Sequence, residues 1–202
     1  MEHIFKKGKN LDGNTLLMLH GTGGSEFDLL DIADFIDSDA NVLSLRGEVL
    51  ENGMSRFFKR LAEGVFDIED LISRTHQIKK EILEFSQIYG FNKDKIIPIG
   101  YSNGANIAGS LIFHYPSLFK AAILFHPMVP LRNMKIDSLK NLPIFIGAGI
   151  KDPICSVAET NELTEILLKN KAEVSVNWYQ FGHALSQDEI NDARVWFQKN
   201  IK

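Results

Sequence analysis

Short runs of consecutive apolar residues recur along the chain, separated by segments of helical periodicity. Such runs contain few polar residues, which is typical of strands buried on both faces of a parallel sheet. Runs of this kind occupy residues 15–20, 41–47, 95–100, 121–126 and 142–149. Residues 173–180 instead alternate apolar and polar side chains, which indicates a strand at or near a sheet edge.

The segments between these runs carry apolar residues at three- and four-residue steps, as amphipathic helices do. The clearest is 67–89, where Asp67 can cap the start and Gly90 follows the end. Shorter helices are predicted at residues 28–36, 103–114, 156–169 and 186–199. The last two begin with Ser-x-x-Glu capping boxes, at 156–159 and 186–189.

Alternation of strands and helices predicts an α/β fold with a mostly parallel central sheet and helices on both faces. No internal repeat, low-complexity stretch or linker divides the chain, so residues 1–202 are expected to form a single domain. Residues 48–66 have no clean period and are predicted to form a loop. Phe57 and Phe58 within it either cover the edge of the core or belong to a functional loop, and the exposed aromatics there fit a substrate pocket or a homodimer contact equally well.

Composition and charge narrow the range of functions. The 202 residues are 45% hydrophobic and 24% charged, which is ordinary for a globular protein, and the net charge of −4 argues against a nucleic-acid partner. Cys155 is the single cysteine, so an internal disulfide and a cysteine-based zinc site are excluded. No apolar run has the length of a signal peptide or a membrane span, so we expect a cytoplasmic protein.

A Gly-x-Ser-x-Gly pattern follows the apolar run at residues 95–99 and opens a predicted helix. It consists of Gly100, Tyr101, Ser102, Asn103 and Gly104. A nucleophilic serine must project clear of the sheet on a sharp strand-to-helix turn, and side chains two residues before or after it would collide. The helix behind the turn offers free backbone N–H groups to a developing oxyanion.

Two further candidates follow separate strands, at the carboxyl edge where ligands bind in such sheets. Asp152 follows the run at 142–149, and His183 follows the strand at 173–180. A serine hydroxyl needs an adjacent base, histidine has a pKa near neutral, and a carboxylate holds the histidine in one tautomer. The order Ser102, Asp152, His183 is the order found in α/β-hydrolases.

The glycine-rich segment at residues 20–24 follows the first apolar run and can supply an oxyanion hole. In this arrangement one N–H comes from the residue after the nucleophile, here Asn103, and one from the loop after an early strand, for which we choose Thr22. His20 is expected to fix this loop through its imidazole.

The remaining histidines and the cysteine are weaker candidates for catalysis. His126 ends an apolar run and could line the pocket, whereas His3, His76 and His114 are expected at the surface. Cys155 is expected to be a buried or partly buried thiol and not a nucleophile.

Taken together, these motifs resemble the phospholipase/carboxylesterase family of small α/β-hydrolases, which includes bacterial carboxylesterases and acyl-protein thioesterases. The resemblance covers about residues 5–200. The motifs that carry it are His20 to Gly24, Arg46-Gly47, Gly100 to Gly104, Gly149 to Pro153 and Gly182-His183. It implies a triad of Ser102, Asp152 and His183, oxyanion donors Thr22 and Asn103, no metal, no organic cofactor and no large lid.

Some positions depart from the family pattern. Asn103 stands where many relatives have Gln, Ala105 where many have a second Gly, and Thr22 where many have Leu or Met. The backbone N–H groups remain, but the acyl pocket can differ in shape. Residues 53–64 look closest to bacterial members of the family linked to aromatic-compound stress.

The sequence therefore predicts a serine carboxylesterase that acts on small-molecule esters through an acyl-enzyme on Ser102. An acyl thioesterase or lysophospholipase with the same triad is the alternative, and a non-catalytic binding protein with the hydrolase fold is a third. A dienelactone-hydrolase-like enzyme with a cysteine nucleophile is disfavoured because the turn carries serine.

Overall fold

The computed structural model describes residues 1–202, with eleven strands and five α-helices. The strands are β1 His3–Lys6, β2 Thr15–Leu19, β3 Asn41–Leu45, β4 Val49–Glu51, β5 Met54–Arg56, β6 Arg60–Ala62, β7 Val65–Phe66, β8 Ile96–Tyr101, β9 Ala122–Phe125, β10 Pro143–Gly149 and β11 Glu173–Tyr179. The helices are α1 Leu30–Ile36, α2 Ile68–Tyr89, α3 Asn103–His114, α4 Val157–Lys169 and α5 Gln187–Asn200.

Seven strands form the central sheet in the order β1-β3-β2-β8-β9-β10-β11. Every pairing is parallel except that of β1 with β3, so the predicted mostly parallel sheet is confirmed. The strand at the amino terminus was missed in the sequence because it is short and only partly buried. β11 lies at the opposite edge, as its alternating pattern indicated.

Helices cover both faces of this sheet, as predicted. One apolar cluster contains side chains of α2, α3 and α4, such as Ile78, Leu111 and Leu163. The other contains side chains of α1 and α5, such as Ile36 and Phe197. Because the strands are buried on both faces, their neighbouring residues contribute alternately to the two clusters.

Helix α2 is capped as the sequence indicated. The Asp67 side chain accepts from the N–H of Asp70, and Gly90 adopts the left-handed conformation with a φ of 72°. The apolar stripe, however, is buried only in its middle, since Ile68 and Ile88 at its two ends are exposed.

The prediction of a loop for residues 48–66 is wrong. This segment forms two antiparallel hairpins, β4–β5 and β6–β7, which lie outside the central sheet. Strands of two or three residues are too short to show a period in the sequence. Phe57 and Phe58 join the hairpins and are almost fully buried in the main core, so they cover the core edge.

One of the two predicted capping boxes forms completely. Ser186 and Glu189 exchange both bonds at the start of α5. Ser156 caps α4, but the carboxylate of Glu159 accepts instead from the backbone N–H of Val129. The prediction of a complete capping box is therefore wrong at this helix. None of the helices combines the length and the apolar character that crossing a membrane requires.

Candidate active site

Ser102 occupies a strained turn between β8 and α3. Its φ of 52° and ψ of −114° are unusual for a residue with a side chain. A Cβ at Gly100 would lie 2.4 Å from the Gly104 carbonyl oxygen, and one at Gly104 would lie 1.9 Å from that of Leu19. The two glycines therefore let the turn close tightly against the sheet, as the sequence predicted.

The three residues of the predicted triad lie together at the carboxyl edge of the sheet. Ser102 Oγ lies 2.8 Å from Nε2 of His183, and Nδ1 of the same imidazole lies 2.7 Å from Oδ2 of Asp152. Strands β8, β10 and β11 end next to Ser102, Asp152 and His183 respectively. The arrangement allows the imidazole to accept the serine proton while the carboxylate holds its other nitrogen.

Asp152 is held by four donors. Oδ1 accepts from the backbone N–H groups of Ile154 and Cys155, at 2.8 and 2.9 Å, while Oδ2 faces Nδ1 of both His183 and His126. Burial favours the neutral acid, but these donors outweigh it and hold the pKa of Asp152 below its ordinary value. The carboxylate is therefore ionised and fixed at neutral pH.

Tyr101 supports the loop that carries the histidine. Its hydroxyl donates to the backbone carbonyl of His183 at 2.8 Å, and its ring lies 5.7 Å from the imidazole. Gly149 lets this loop pass close to the end of β10, because a Cβ there would lie 2.4 Å from the carbonyl oxygen of Gly182.

Thr22 and Asn103 both line the cleft that contains Ser102. Asn103 is the first residue of α3, so its N–H has no carbonyl one turn earlier in the helix. Its side-chain oxygen accepts from the N–H of Phe57 at 2.7 Å, and the hydroxyl of Thr22 accepts from Arg56 at 2.6 Å. These bonds fix the positions of both residues beside Ser102.

His20 fixes the loop after β2, as expected from the sequence. The N–H of Gly47 donates to Nε2 at 3.0 Å, so the neutral ring carries its proton on Nδ1 and donates to the carbonyl of Gly21 at 2.6 Å. Burial lowers the pKa of His20, which is consistent with the neutral form.

A cleft of about 190 Å³ surrounds Ser102 and His183, and it also contains two arginines, Arg56 and Arg60. A larger apolar groove of about 720 Å³ lies beside it. The cleft and the groove share three lining residues, Gly64, Phe66 and Met128. The apolar groove therefore adjoins the space in front of Ser102.

The other candidate residues lie away from the reacting atoms. His126 does not line the cleft; it is 1% exposed and lies behind Asp152. Cys155 is buried as expected, and burial raises the pKa of its thiol. His76 is exposed, and His3 and His114 are partly exposed.

His126, Asp152 and His183 also bring three potential metal-ligand atoms within 4.8 Å of one another. The Asp152 oxygen faces an imidazole nitrogen on each side at hydrogen-bond distance. The spacing of these atoms is therefore explained by hydrogen bonds between the side chains.

Several residues that shape the site were not identified from the sequence. Arg56 and Arg60 lie in the hairpins that were predicted to be a loop, and Tyr101 was considered only as part of the Gly-x-Ser-x-Gly pattern. Glu189 was identified only as a capping residue, although its carboxylate also contacts His126. A fully buried glutamate has no signature in a helical pattern, so no sequence signal pointed to this contact.

Comparison with known proteins is consistent with this geometry. The model of the dienelactone hydrolase family matches residues 61–196. The putative hydrolase MhqD of Bacillus subtilis (strain 168) is 52% identical over 201 residues, which cover all of both chains. Ser102, and not a cysteine, occupies the turn in this member of the family.

Two solved structures are similar over nearly the whole chain. The carboxylesterase of Bacillus cereus is 51% identical with a TM-score of 0.98, over 100% of this chain and 95% of that one. YahD, crystallised with malic acid, is 30% identical with a TM-score of 0.94, over 98% of each chain. These likenesses confirm the resemblance found in the sequence: the chain belongs to the dienelactone hydrolase family and is a carboxylic ester hydrolase with the α/β-hydrolase fold.

Proposed function

We propose that this enzyme is a serine carboxylesterase that hydrolyses small-molecule carboxylic esters through an acyl-enzyme on Ser102. The observation that carries the proposal is the continuous contact from Ser102 Oγ through both ring nitrogens of His183 to Asp152, with distances of 2.8 and 2.7 Å. Side chains from three separate strand ends meet in this order at the edge where hydrolase sites form.

The proposed reaction has two steps. Ser102 attacks the ester carbonyl while His183 takes its proton and passes it to the leaving alcohol. The N–H groups of Thr22 and Asn103 hold the negative charge on the tetrahedral oxygen. Water then attacks the acyl-enzyme with His183 again acting as base, and Asp152 stabilises the imidazolium in both steps.

The shape of the site supports an ester with an apolar part. The cleft at Ser102 is small and most of its lining residues are polar, whereas the adjoining groove is lined mostly by apolar side chains such as Ile72, Val129 and Leu131. An acyl or aryl group in this groove would pass Met128 to place its carbonyl at Ser102. The geometry therefore favours substrates longer than acetate.

The test is hydrolysis of p-nitrophenyl esters from acetate to palmitate by the wild type and by Ser102→Ala. We expect an optimum at intermediate chain length in the wild type and a loss of at least about 10⁴-fold in kcat for the variant. A fluorophosphonate should label only the wild type. A folded Ser102→Ala variant with undiminished turnover would exclude the serine mechanism.

Two other outcomes point to the alternatives. Matched thioesters that are turned over about 10-fold faster than the esters would indicate an acyl thioesterase with the same triad. If lysophospholipids alone are cleaved, the enzyme is a lysophospholipase. If neither turnover nor labelling occurs in the wild type, the result supports a non-catalytic binding protein with the hydrolase fold.

A further inference from the structure

His126 occupies an unusual position directly behind the triad. It follows β9 with a φ of 52°, and its side chain is 1% exposed. Nδ1 lies 2.8 Å from Oδ2 of Asp152, and Nε2 lies 3.0 Å from Oε1 of Glu189, without the alignment of a hydrogen bond. The side chain of Glu189 is itself 1% exposed. A second imidazole thus links the catalytic carboxylate to a carboxylate of helix α5.

The hydrogen-bonding atoms of Asp152, His126 and Glu189 do not match unless one of these groups carries an additional proton. Asp152 is ionised and can only accept, so Nδ1 of His126 must donate to it. A neutral imidazole would then turn the lone pair of Nε2 towards the carboxylate of Glu189, and two acceptors would meet at 3.0 Å in a buried site. An additional proton on one of these two groups converts the contact between two acceptors into an attraction.

The surroundings place this proton on His126. Oε2 of Glu189 already accepts from the N–H of Ser186 at 2.6 Å. Burial opposes a charge on His126, but the contacts with Glu189 and Asp152 outweigh it and raise the pKa of the imidazole. A cation between two carboxylates is the paired state that a buried charge requires.

All the ionisable groups around His126 come from neighbouring elements. Asp152 follows β10, His183 follows β11, and Glu189 lies in α5. The Tyr101 ring packs edge-on against the imidazole at 5.9 Å, and the thiol of Cys155 donates to the carbonyl of His126 at 3.1 Å. Among these, His183 is the only other group that becomes a cation, and its ring lies 5.2 Å away.

We propose that His126 is a positioning residue of the hydrolase, which acts as a buried cation held by Glu189, fixes the orientation of the Asp152 carboxylate and places a positive charge beside the imidazole of His183. The inference rests on the proposed serine mechanism. A cation about 5 Å away repels a second positive charge on that imidazole, so loss of the cation should shift the pH dependence of the reaction.

The test uses two variants and a matched control. His126→Asn keeps a donor near the position of Nδ1 and tolerates a positive φ, but it removes the cation. Glu189→Gln keeps the shape of the carboxylate and removes the charge that holds the proton. Glu159→Gln is the control, because Glu159 also follows a helix-capping serine by three residues but has no bond to the triad.

We expect both test variants to move the acid limb of the kcat/KM profile up by about half to one pH unit, and the control by less than about 0.2. Nitrogen NMR of ¹⁵N-histidine protein should show both His126 nitrogens protonated at about pH 7.5 in the wild type. The same spectra report the titration of His183 whether or not any ester is cleaved. They therefore separate a failure of this inference from a failure of the proposed function.

Two results would overturn the inference. One is a neutral His126 in the wild-type spectra. The other is an unchanged titration of His183 in both test variants, even if their melting temperatures fall, because a purely structural role would lower stability without moving the titration.

Discussion

The backbone N–H of Ser102 donates to the carbonyl of Phe125 at 2.9 Å, which ties the proposed nucleophile to the end of strand β9. The next residue, His126, contacts Asp152 from the same strand end. The end of β9 therefore fixes Ser102 and Asp152 relative to each other, although neither residue belongs to that strand.

Replacement of Asp152 by Asn should reduce the kcat of ester hydrolysis by about 10³- to 10⁴-fold with little change in KM. The amide would present its NH₂ group to one of two imidazole nitrogens that now donate, His183 or His126, and this favours the wrong tautomer of the base. Steady-state kinetics across pH check the loss. A drop of less than about 10-fold would contradict an orienting role for the carboxylate.

Asp152 should also make the free energy of unfolding depend on pH at the acid end. Its pKa is lower in the folded protein than in the unfolded chain, so its stabilising contribution is present above the unfolded value of about 3.9 and is lost as the pH falls through the folded value. Urea unfolding of the wild type and Asp152→Asn from about pH 7 to 3 should show the difference between them shrink below about pH 4. If the difference in stability between the two proteins instead grew on acidification, the pKa of Asp152 would not be lowered in the folded protein.

His126 should make the free energy of unfolding depend on pH in the opposite direction. Its pKa is raised on folding, so its contribution is fully present below the unfolded value of about 6.5 and is lost as the pH rises through the folded value. We expect the stability advantage of the wild type over His126→Asn to decrease with rising pH in that window. Urea unfolding at several pH values measures it, and an advantage that increases with alkalinity would contradict a buried cation.

Replacement of Gly104 by Ala should destabilise the fold by more than about 3 kcal/mol. The new methyl would lie 1.9 Å from the carbonyl oxygen of Leu19, and backbone on both sides cannot yield. Gly109→Ala on the same helix is the control, since its methyl would contact the Pro130 ring at 3.3 Å and should change stability by less than about 1 kcal/mol. Thermal unfolding of both variants compares the two losses of stability. Equal losses would mean that the turn at Ser102 is not tightly packed.

Replacement of Met128 by Trp should shorten the preferred acyl chain. Met128 lines both the cleft and the groove, so a larger side chain there narrows the passage between them. We expect kcat/KM for the longest accepted ester to fall by about 10-fold or more while acetate changes by less than about 3-fold. Leu61→Trp, an exposed position of the β6–β7 hairpin, is the control and should leave the chain-length profile unchanged. An unchanged profile in Met128→Trp would place the acyl group elsewhere.

The sequence was most informative where one local rule determines the structure. Helix α3 begins at Asn103 as predicted, because a glycine-framed turn precedes it, and it also ends at the predicted His114. The meeting of Ser102, Asp152 and His183 followed from topology, since parallel strands end at one edge of the sheet.

What the sequence did not reveal depends on contacts between distant segments. The hairpins of residues 48–66 contain strands of only two or three residues, so they leave no periodic signal. The contact between His126 and Glu189 joins a strand end to a helix far along the chain, and each residue alone has an ordinary local explanation. Such a pair becomes visible only when the packing of α5 against the sheet is known.

The two hairpins supply Arg56, Arg60 and Phe66 to the cleft, whereas the proposed proton-transfer groups come from the ends of β8, β10 and β11. One wall of the cleft is therefore encoded in a contiguous stretch, 48–66, that supplies none of those groups. Substitutions in this stretch can change the shape and charge of that wall while Ser102, Asp152 and His183 stay in place. Together with Met128, which lies between the cleft and the groove, this stretch is the natural place to graft a different specificity.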